Sequence, residues 1–286
     1  MIAYLVDAFT QNRFEGNRAG VVFGADALSK EQKQAIAAEI NASETAFVGA
    51  SSVADYKVEF FTPQCPIDFC GHATLATFHM LAKTDEKLSA RLQEHPVQLT
   101  QETKAGIMTI VLSLEDGEPK ITMRQRAPQF AAANADTSAI ARALNIKEEE
   151  LDGRFVPALA NTGNWHLIVA VNAKATLDSI KYDTNALSAI LTEAKAATAH
   201  VFYSDAVIYF ARNFCPTIGI AEDPATGAAA GAFVAYLKNF KYLQQRDISI
   251  IQGEAMGRPS KILASIDAEN NVEVSGRATL SFTLSD

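Results

Sequence analysis

Apolar residues along the chain mostly alternate with polar ones or cluster in short blocks, and helical spacing is confined to a few stretches. Residues 2–9 and 18–23 predict two strands joined by the turn 12–17, whose Gly and Asn residues tolerate unusual backbone angles. Ser29-Lys30-Glu31-Gln32 fits a capping box, and Ile36 and Ile40 carry the helix it opens to about Ile40. The chain then leaves the helix at Asn41 and enters a strand through Glu44 to Val48. A further strand is expected at 57–62, and Pro63 and Pro66 mark the loop that delivers the chain to Gly71. From Ala73 to Ala82 apolar residues occupy every side, the pattern of a helix buried all round. Strands at 95–102 and 107–114 lead to the turn 115–119, a candidate domain boundary.

The second half repeats this logic. A strand at 121–124, a helix at 137–145, strands at 155–160 and 165–171, a helix at 185–196 and strands at 201–203 and 207–214 are expected in turn. Asp223 before Pro224 predicts a helix start, because Asp caps exposed N–H groups and Pro suits the first helical position. Ala229, Phe233 and Leu237 make that helix largely apolar as well. Strands at 246–253, 261–266, 272–275 and 278–284 close the chain. Pro63 and Pro216 stand at the same distance before Gly71 and Pro224, a weak internal repeat. The expected architecture is α+β, with two domains, each a mostly antiparallel sheet around one buried helix. The bounds are 1–118 with about 277–286 for one domain, and 119–276 for the other.

Composition narrows the class. Of the 286 residues, 48% are hydrophobic and 20% charged, and no apolar run reaches membrane-spanning length. The first residues form a strand-like run without a basic leader or signal core, so a cytoplasmic location is expected. The net charge of −8 argues against a nucleic-acid surface. Three cysteines make no disulfide framework, and no Cys or His spacing matches a zinc motif, so no metal is expected.

The candidate chemistry gathers at three places. Cys70-Gly71-His72-Ala73-Thr74 puts an imidazole at a helix start, where backbone N–H groups can hold a carboxylate. His72 can move a proton there or can simply cap the helix. Cys70 beside it invites a thiol-nucleophile reading, set against a buried structural thiol. Glu44 stands at a helix-to-strand junction among small and apolar neighbours, where burial would raise its proton affinity, or it is a solvated strand-start residue. Asp223 either serves the chemistry or caps its helix. Asn17 either orients a neighbouring loop or is a plain turn residue.

Taken together, Asp7-Ala8-Phe9, Gly16-Asn17 with Ala19-Gly20-Val21-Val22, Ser43-Glu44-Thr45-Ala46-Phe47, Cys70-Gly71-His72-Ala73-Thr74 and Gly219 to Gly227 resemble the phenazine-biosynthesis PhzF-like isomerase family. The resemblance runs through nearly the whole chain, in order, to Gly257-Arg258-Pro259-Ser260 and Gly276-Arg277-Ala278. It implies a diaminopimelate-epimerase-like fold of two pseudo-symmetric domains with the active site between them, and a cofactor-free isomerase that is typically a homodimer. It also implies that Glu44 shuttles a proton between two carbons of a small cyclic or unsaturated carboxylic acid, with His72 and Asp223 as supporting catalytic residues. Ser43, Gly71, Thr226, Gly227 and Ala228 fall at positions around the substrate. Two departures stand out. The family commonly has Ser where this chain has Ala228, and Pro where it has Arg18, so a substrate other than dihydro-hydroxyanthranilate is expected. The alternatives are a two-thiol racemase of the same fold using Cys70 and Cys215, or a catalytically silent small-molecule-binding relative.

Overall fold

The computed structural model describes residues 2–205, 207–243 and 245–285. Contacts divide it into two compact units, Met1–Arg124 with Ser275–Asp286, and Gln125–Val274.

The first unit begins with β1 (Ile2–Ala8), β2 (Asn17–Phe23), α1 (Lys30–Ile40), β3 (Glu44–Gly49), β4 (Tyr56–Phe61) and β5 (Pro66–Ile67). It continues through α2 (Gly71–Thr84), α3 (Glu86–Glu94), β6 (Val97–Thr103), β7 (Gly106–Glu115) and β8 (Glu118–Arg124). The second unit holds β9 (Gln129–Ala132), α4 (Thr137–Ala143), β10 (Ala158–Asn161), β11 (Trp165–Ala170), α5 (Lys174–Ser179) and α6 (Thr184–Glu193). It goes on with β12 (Thr198–Ser204), β13 (Tyr209–Cys215), β14 (Ile220–Asp223), α7 (Gly227–Asn239), β15 (Asp247–Gln252), β16 (Ser260–Ile266) and β17 (Val272–Gly276). The chain returns to the first unit at Ser275, within β17, and continues there as β18 (Ala278–Ser285).

In the first unit β1 lies between antiparallel partners β18 and β2, and β2 runs parallel to β3, which pairs antiparallel with β4. A short parallel contact joins β4 to β6, and β6, β7 and β8 follow as antiparallel neighbours. These strands curve around α2, which touches β1, β2, β3, β8 and β18. The consequence for α2 is burial of every residue from His72 to Ala82. A helix so placed has no water for its buried hydroxyls, and Thr74 and Thr77 each donate to the carbonyl four residues back, at 2.8 Å. In the second unit α7 has the same role, packed on β10, β11, β12 and β16 and buried over nearly all its length.

Several expectations are changed. The turn 115–119 joins two strands of one unit, because β8 pairs with β7 from Glu118 to Met123, and the division between units falls after Arg124. Helix α3 has no counterpart in the sequence reading; only Leu88 and Leu92 are buried on it, too few apolar residues to show a period, while Asp85 caps its N–H groups. The largest correction concerns Asp223. It ends strand β14 instead of capping a helix, and α7 begins four residues later at Gly227 with Thr226 at the cap position. Helix starts therefore lie eight residues after Pro63 and eleven after Pro216, so the proline spacing is not a structural repeat.

The first unit also contains a buried charge with a stabilising role. Asp7 is fully buried and accepts from Arg18 Nε at 3.0 Å, from the Phe14 N–H at 2.7 Å and from the Ser281 hydroxyl. Burial pushes its carboxyl up, and the hydrogen bonds from Ser281, Arg18 and Phe14 more than offset this, holding it below the usual Asp range. A folded value below the unfolded one means the stabilisation is full above the unfolded pKa, about 3.9, and fades as pH falls through the folded value. Asp7→Asn should therefore cost about 2 kcal/mol at pH 7, in line with losing charged hydrogen bonds. The deficit should shrink toward pH 3, as read from urea midpoints at the two pH values. An equal deficit at both would sink the assignment.

Candidate active site

Glu44 opens β3 and His72 is the second residue of α2, so two regular elements of the first unit hold them. Glu44 Oε2 lies 3.0 Å from His72 Nε2, in an ion-pair contact between side chains that are 13% and 9% exposed. That oxygen is buried without a well-directed hydrogen bond. Ser43 Oγ stands 3.1 Å from the same ring nitrogen and donates to the Arg18 carbonyl at 2.9 Å. On the other side of the ring, Asn17 Nδ2 is 3.2 Å from Nδ1, and Asn17 Oδ1 accepts from Ser43 at 3.3 Å.

The electrostatics follow from that packing. Burial pushes the Glu44 carboxyl up, but the facing His72 charge, with hydrogen bonds from His72, Ser43 and Cys70, outweighs it and holds the group below the usual Glu range. Burial likewise disfavours the imidazolium, and the Cys70 sulfur and Glu44 carboxylate against the ring override it, so His72 titrates well above the usual His range. The pair is a carboxylate facing an imidazolium. This differs from the sequence expectation for Glu44, where burial alone was taken to raise proton affinity. The reversal comes from His72, 28 positions further along the chain.

Cys70 occupies the cap position of α2, and its side chain makes no cap hydrogen bond to the helix. Its sulfur instead turns to the imidazole, 3.4 Å from Nδ1 and 3.8 Å from Nε2. Burial and the Glu44 charge push its pKa up, so it is a thiol. Gly71 leaves open space: a Cβ there would meet nothing nearer than Phe69 Cε1 at 4.0 Å. Its missing side chain keeps the first turn of α2 approachable.

In the second unit Asp223, Thr226, Gly227 and Ala228 also lie together, at the end of β14 and the start of α7. Thr226 Oγ1 donates to Asp223 Oδ2 and accepts from Asn213 Nδ2 at 2.9 Å. Gln252 Nε2 donates to the Asp223 carbonyl at 2.7 Å. Behind Asn213, Thr198 donates to its side-chain oxygen at 2.9 Å and meets His166 Nδ1 at 2.7 Å. This is a continuous polar chain that runs from buried His166 to the half-buried Asp223 carboxylate, and Arg212 beside it is held by Glu222 at 2.7 Å. Ala228 accepts from Thr162 Oγ1 through its backbone carbonyl at 3.4 Å.

Cys215 ends β13, twelve residues before Gly227, whereas Cys70 immediately precedes Gly71. Thr226, not a cysteine, holds in α7 the place that Cys70 holds in α2. The two thiols thus do not occupy corresponding positions in their units.

Comparison with known proteins follows the same lines. The family model described as phenazine biosynthesis-like protein matches residues 6–283. The chain belongs to the phenazine biosynthesis-like, PhzF, family. A protein of Clostridium acetobutylicum named an uncharacterized isomerase is 34% identical over 98% of this chain and 95% of its own. The trans-2,3-dihydro-3-hydroxyanthranilate isomerase of Pseudomonas chlororaphis is 32% identical over 95% of this chain and 94% of its own. The crystal structure of a PhzF-family phenazine biosynthesis protein from Bacillus anthracis superposes with a TM-score of 0.88 at 30% identity, covering 99% of this chain and 98% of that one. This PhzF-family chain is an isomerase, and its α+β architecture is the diaminopimelate-epimerase-like fold. Among the described residues no helix is long and apolar enough to cross a membrane.

The sequence placed Glu44, His72, Ser43 and Gly71 in one neighbourhood but left the roles of two of their partners open. Asn17 was left between a loop-orienting residue and a plain turn residue, yet it is buried against the His72 ring. Cys70, open in the sequence between a nucleophile and a structural thiol, faces His72. The signal for Asn17 was faint, a turn residue following Gly16, whose backbone is left-handed at φ 64°. Asn213 and Gln252 carried no local signal at all.

Proposed function

We infer that this isomerase moves a proton between carbons of a small cyclic or unsaturated carboxylic acid, with Glu44 as both base and acid and without a cofactor. The observation that carries the reading is the Glu44–His72 pair: a carboxylate oxygen kept ionised by an imidazolium 3.0 Å away. Such an oxygen can take a proton from a carbon made acidic by conjugation with the substrate's carboxyl group. The resulting glutamic acid then delivers it to another carbon of the same molecule. Negative charge that builds on the substrate meets the His72 ring and the first-turn N–H groups of α2, which lack partners within the helix. Acid/base transfer supplies about 10²- to 10⁴-fold, and the rest comes from positioning and charge stabilisation.

Asp223, fixed by Thr226 and Gln252 in the second unit, is assigned to orienting an amine or hydroxyl of the substrate, with Thr226, Gly227 and Ala228 as its neighbours at the binding site. The relatives named dihydro-hydroxyanthranilate isomerases support the substrate class, a ring bearing a carboxylate and small polar groups. Arg18 pairs with Asp7, and Ala228 offers only a methyl group, so the substrate is a relative of that compound that does not need a hydroxyl contact at Ala228. The working form is a cytoplasmic homodimer.

The test is a thermal-shift screen of cyclic amino and hydroxy carboxylic acids, with each stabilising compound then followed by proton NMR in deuterium oxide. Turnover should place deuterium on a different carbon from the one that lost its proton, with the double bond moved. Exchange at a single stereocentre with inversion would replace isomerisation by epimerisation.

A further inference from the structure

We propose that Glu44, Cys70 and His72 form a binding site for a soft divalent transition-metal ion, zinc above all, and that an ion held there switches the enzyme off. Their donor atoms, a carboxylate oxygen, a sulfur and an imidazole nitrogen, all lie within 4.8 Å of one another. These are the three donor types zinc takes, at about 2.0–2.3 Å each. Donors at those lengths around a tetrahedral ion stand about 3.4–3.6 Å apart. His72 Nε2 is 3.0 Å from Glu44 Oε2 and 3.8 Å from Cys70 Sγ. The edge to Glu44 needs to open by about half an ångström, whereas Cys70 Sγ, 3.4 Å from Nδ1, has to swing toward Glu44 to join an ion on Nε2.

The donors are also carried on regular backbone. Cys70 and His72 flank Gly71 at the start of α2, and Glu44 is the first residue of β3. With Nε2 as the ligand atom, Nδ1 faces the Asn17 side-chain amide at 3.2 Å. Turned end for end, that amide presents its oxygen to an Nδ1–H, the outer partner that metal-bound histidines use. Three protein donors leave a fourth position for water, as in open zinc sites. Binding displaces the protons of the thiol and the imidazolium to solvent. Magnesium and calcium, which want six or more oxygens, have no such set here.

The sequence hid this site because its ligands are spaced 26 and 2 residues apart, unlike any local zinc motif. Binding itself stands independently of the reaction. The inhibition rests on the reading of Glu44 as proton carrier, since an ion occupies the oxygen that must take the proton.

The probe is cobalt(II) added to the whole protein, with zinc following. Wild type should bind one ion per chain and show a sulfur-to-cobalt charge-transfer band, abolished by zinc but not by magnesium. The band should persist in Cys65→Ser and Cys215→Ser and vanish in Cys70→Ser, with zinc affinity down at least about tenfold in that variant. X-ray absorption of the zinc-loaded wild type, which needs no variant to fold, should show one sulfur among nitrogen and oxygen neighbours. No charge-transfer band in wild type, no sulfur scatterer, or a band lost in Cys65→Ser instead, overturns the site. Solvent-deuterium exchange into substrate should fall in step with zinc occupancy and return with a chelator. A loaded ion with undiminished exchange would keep the site and overturn the switch, and with it the role of Glu44.

Discussion

Glu44→Gln should lose at least about 10³-fold in kcat while substrate binding stays within a few-fold, and its solvent-deuterium exchange should disappear. The two side chains have nearly the same shape, so the start of β3 and its pairing with β2 and β4 are preserved. What changes is proton affinity: an amide oxygen cannot take a proton from carbon at neutral pH, nor can the amide return one. Because one group performs both halves of the transfer, a single substitution removes both. The substitution also removes the charge that sustains the His72 imidazolium, and burial then drives that ring toward the neutral form. A lower thermal midpoint would not account for the loss if exchange were measured well below it. Full exchange retained by the Gln variant would remove Glu44 from the reaction.

His72→Asn should move the acid limb of the kcat/KM profile to higher pH, with about 10² lost near pH 7. In the wild type the His72 charge is the strongest of the influences that lower the Glu44 pKa, and burial opposes it. With the imidazolium gone, burial dominates and the carboxyl rises above its ordinary value, so a base that was ionised through mildly acidic pH is now partly protonated there. The direction separates electrostatic support from simple packing. A residue that only capped α2 or filled space would lower activity without moving the limb. An unshifted acid limb, with activity down by any factor, would therefore count against the ion pair as the means by which Glu44 is kept a base. Asn retains a polar group toward Ser43 and Asn17, which limits collapse of the surrounding hydrogen bonds.

The two thiols bear on the rival mechanism. A pair of thiols acting on one carbon requires corresponding placements in the two units, and Thr226 occupies the place in α7 where the second thiol would stand. Burial and the nearby Asp223 and Glu222 charges push the Cys215 thiol far up, and it donates to the Asn213 carbonyl at 3.4 Å. Its surroundings are those of a structural thiol.

Much of the fold could be read from the chain by itself. The alternating blocks marked most of the strands, and the capping box at Ser29 and Gln32 forms as expected, with Ser29 Oγ accepting from the Gln32 N–H. The all-round apolar character of α2 and α7 marked both as central helices, because only an enclosed helix can bury every face. These are local properties, set by periods of two and 3.6 residues and by end-group chemistry. The chain also drew attention to Glu44 and His72, whose residue types and junction positions suit proton transfer.

The tertiary structure decided what those residues are to one another. It set the sign of the shift at Glu44, which depends on a charge brought 3.0 Å away by the folding of α2 into the curve of the sheet. It moved Asp223 from a helix cap to a strand end, because pairing of β14 with β13 outweighs the local Asp-Pro preference. And it set Cys70, which the chain alone left between a nucleophile and a structural thiol, beside Glu44 and His72. Local sequence determines which conformation a segment prefers. Protonation and ligation depend on distances of a few ångströms between segments far apart in the chain, and those exist only once the sheet has closed around its helix.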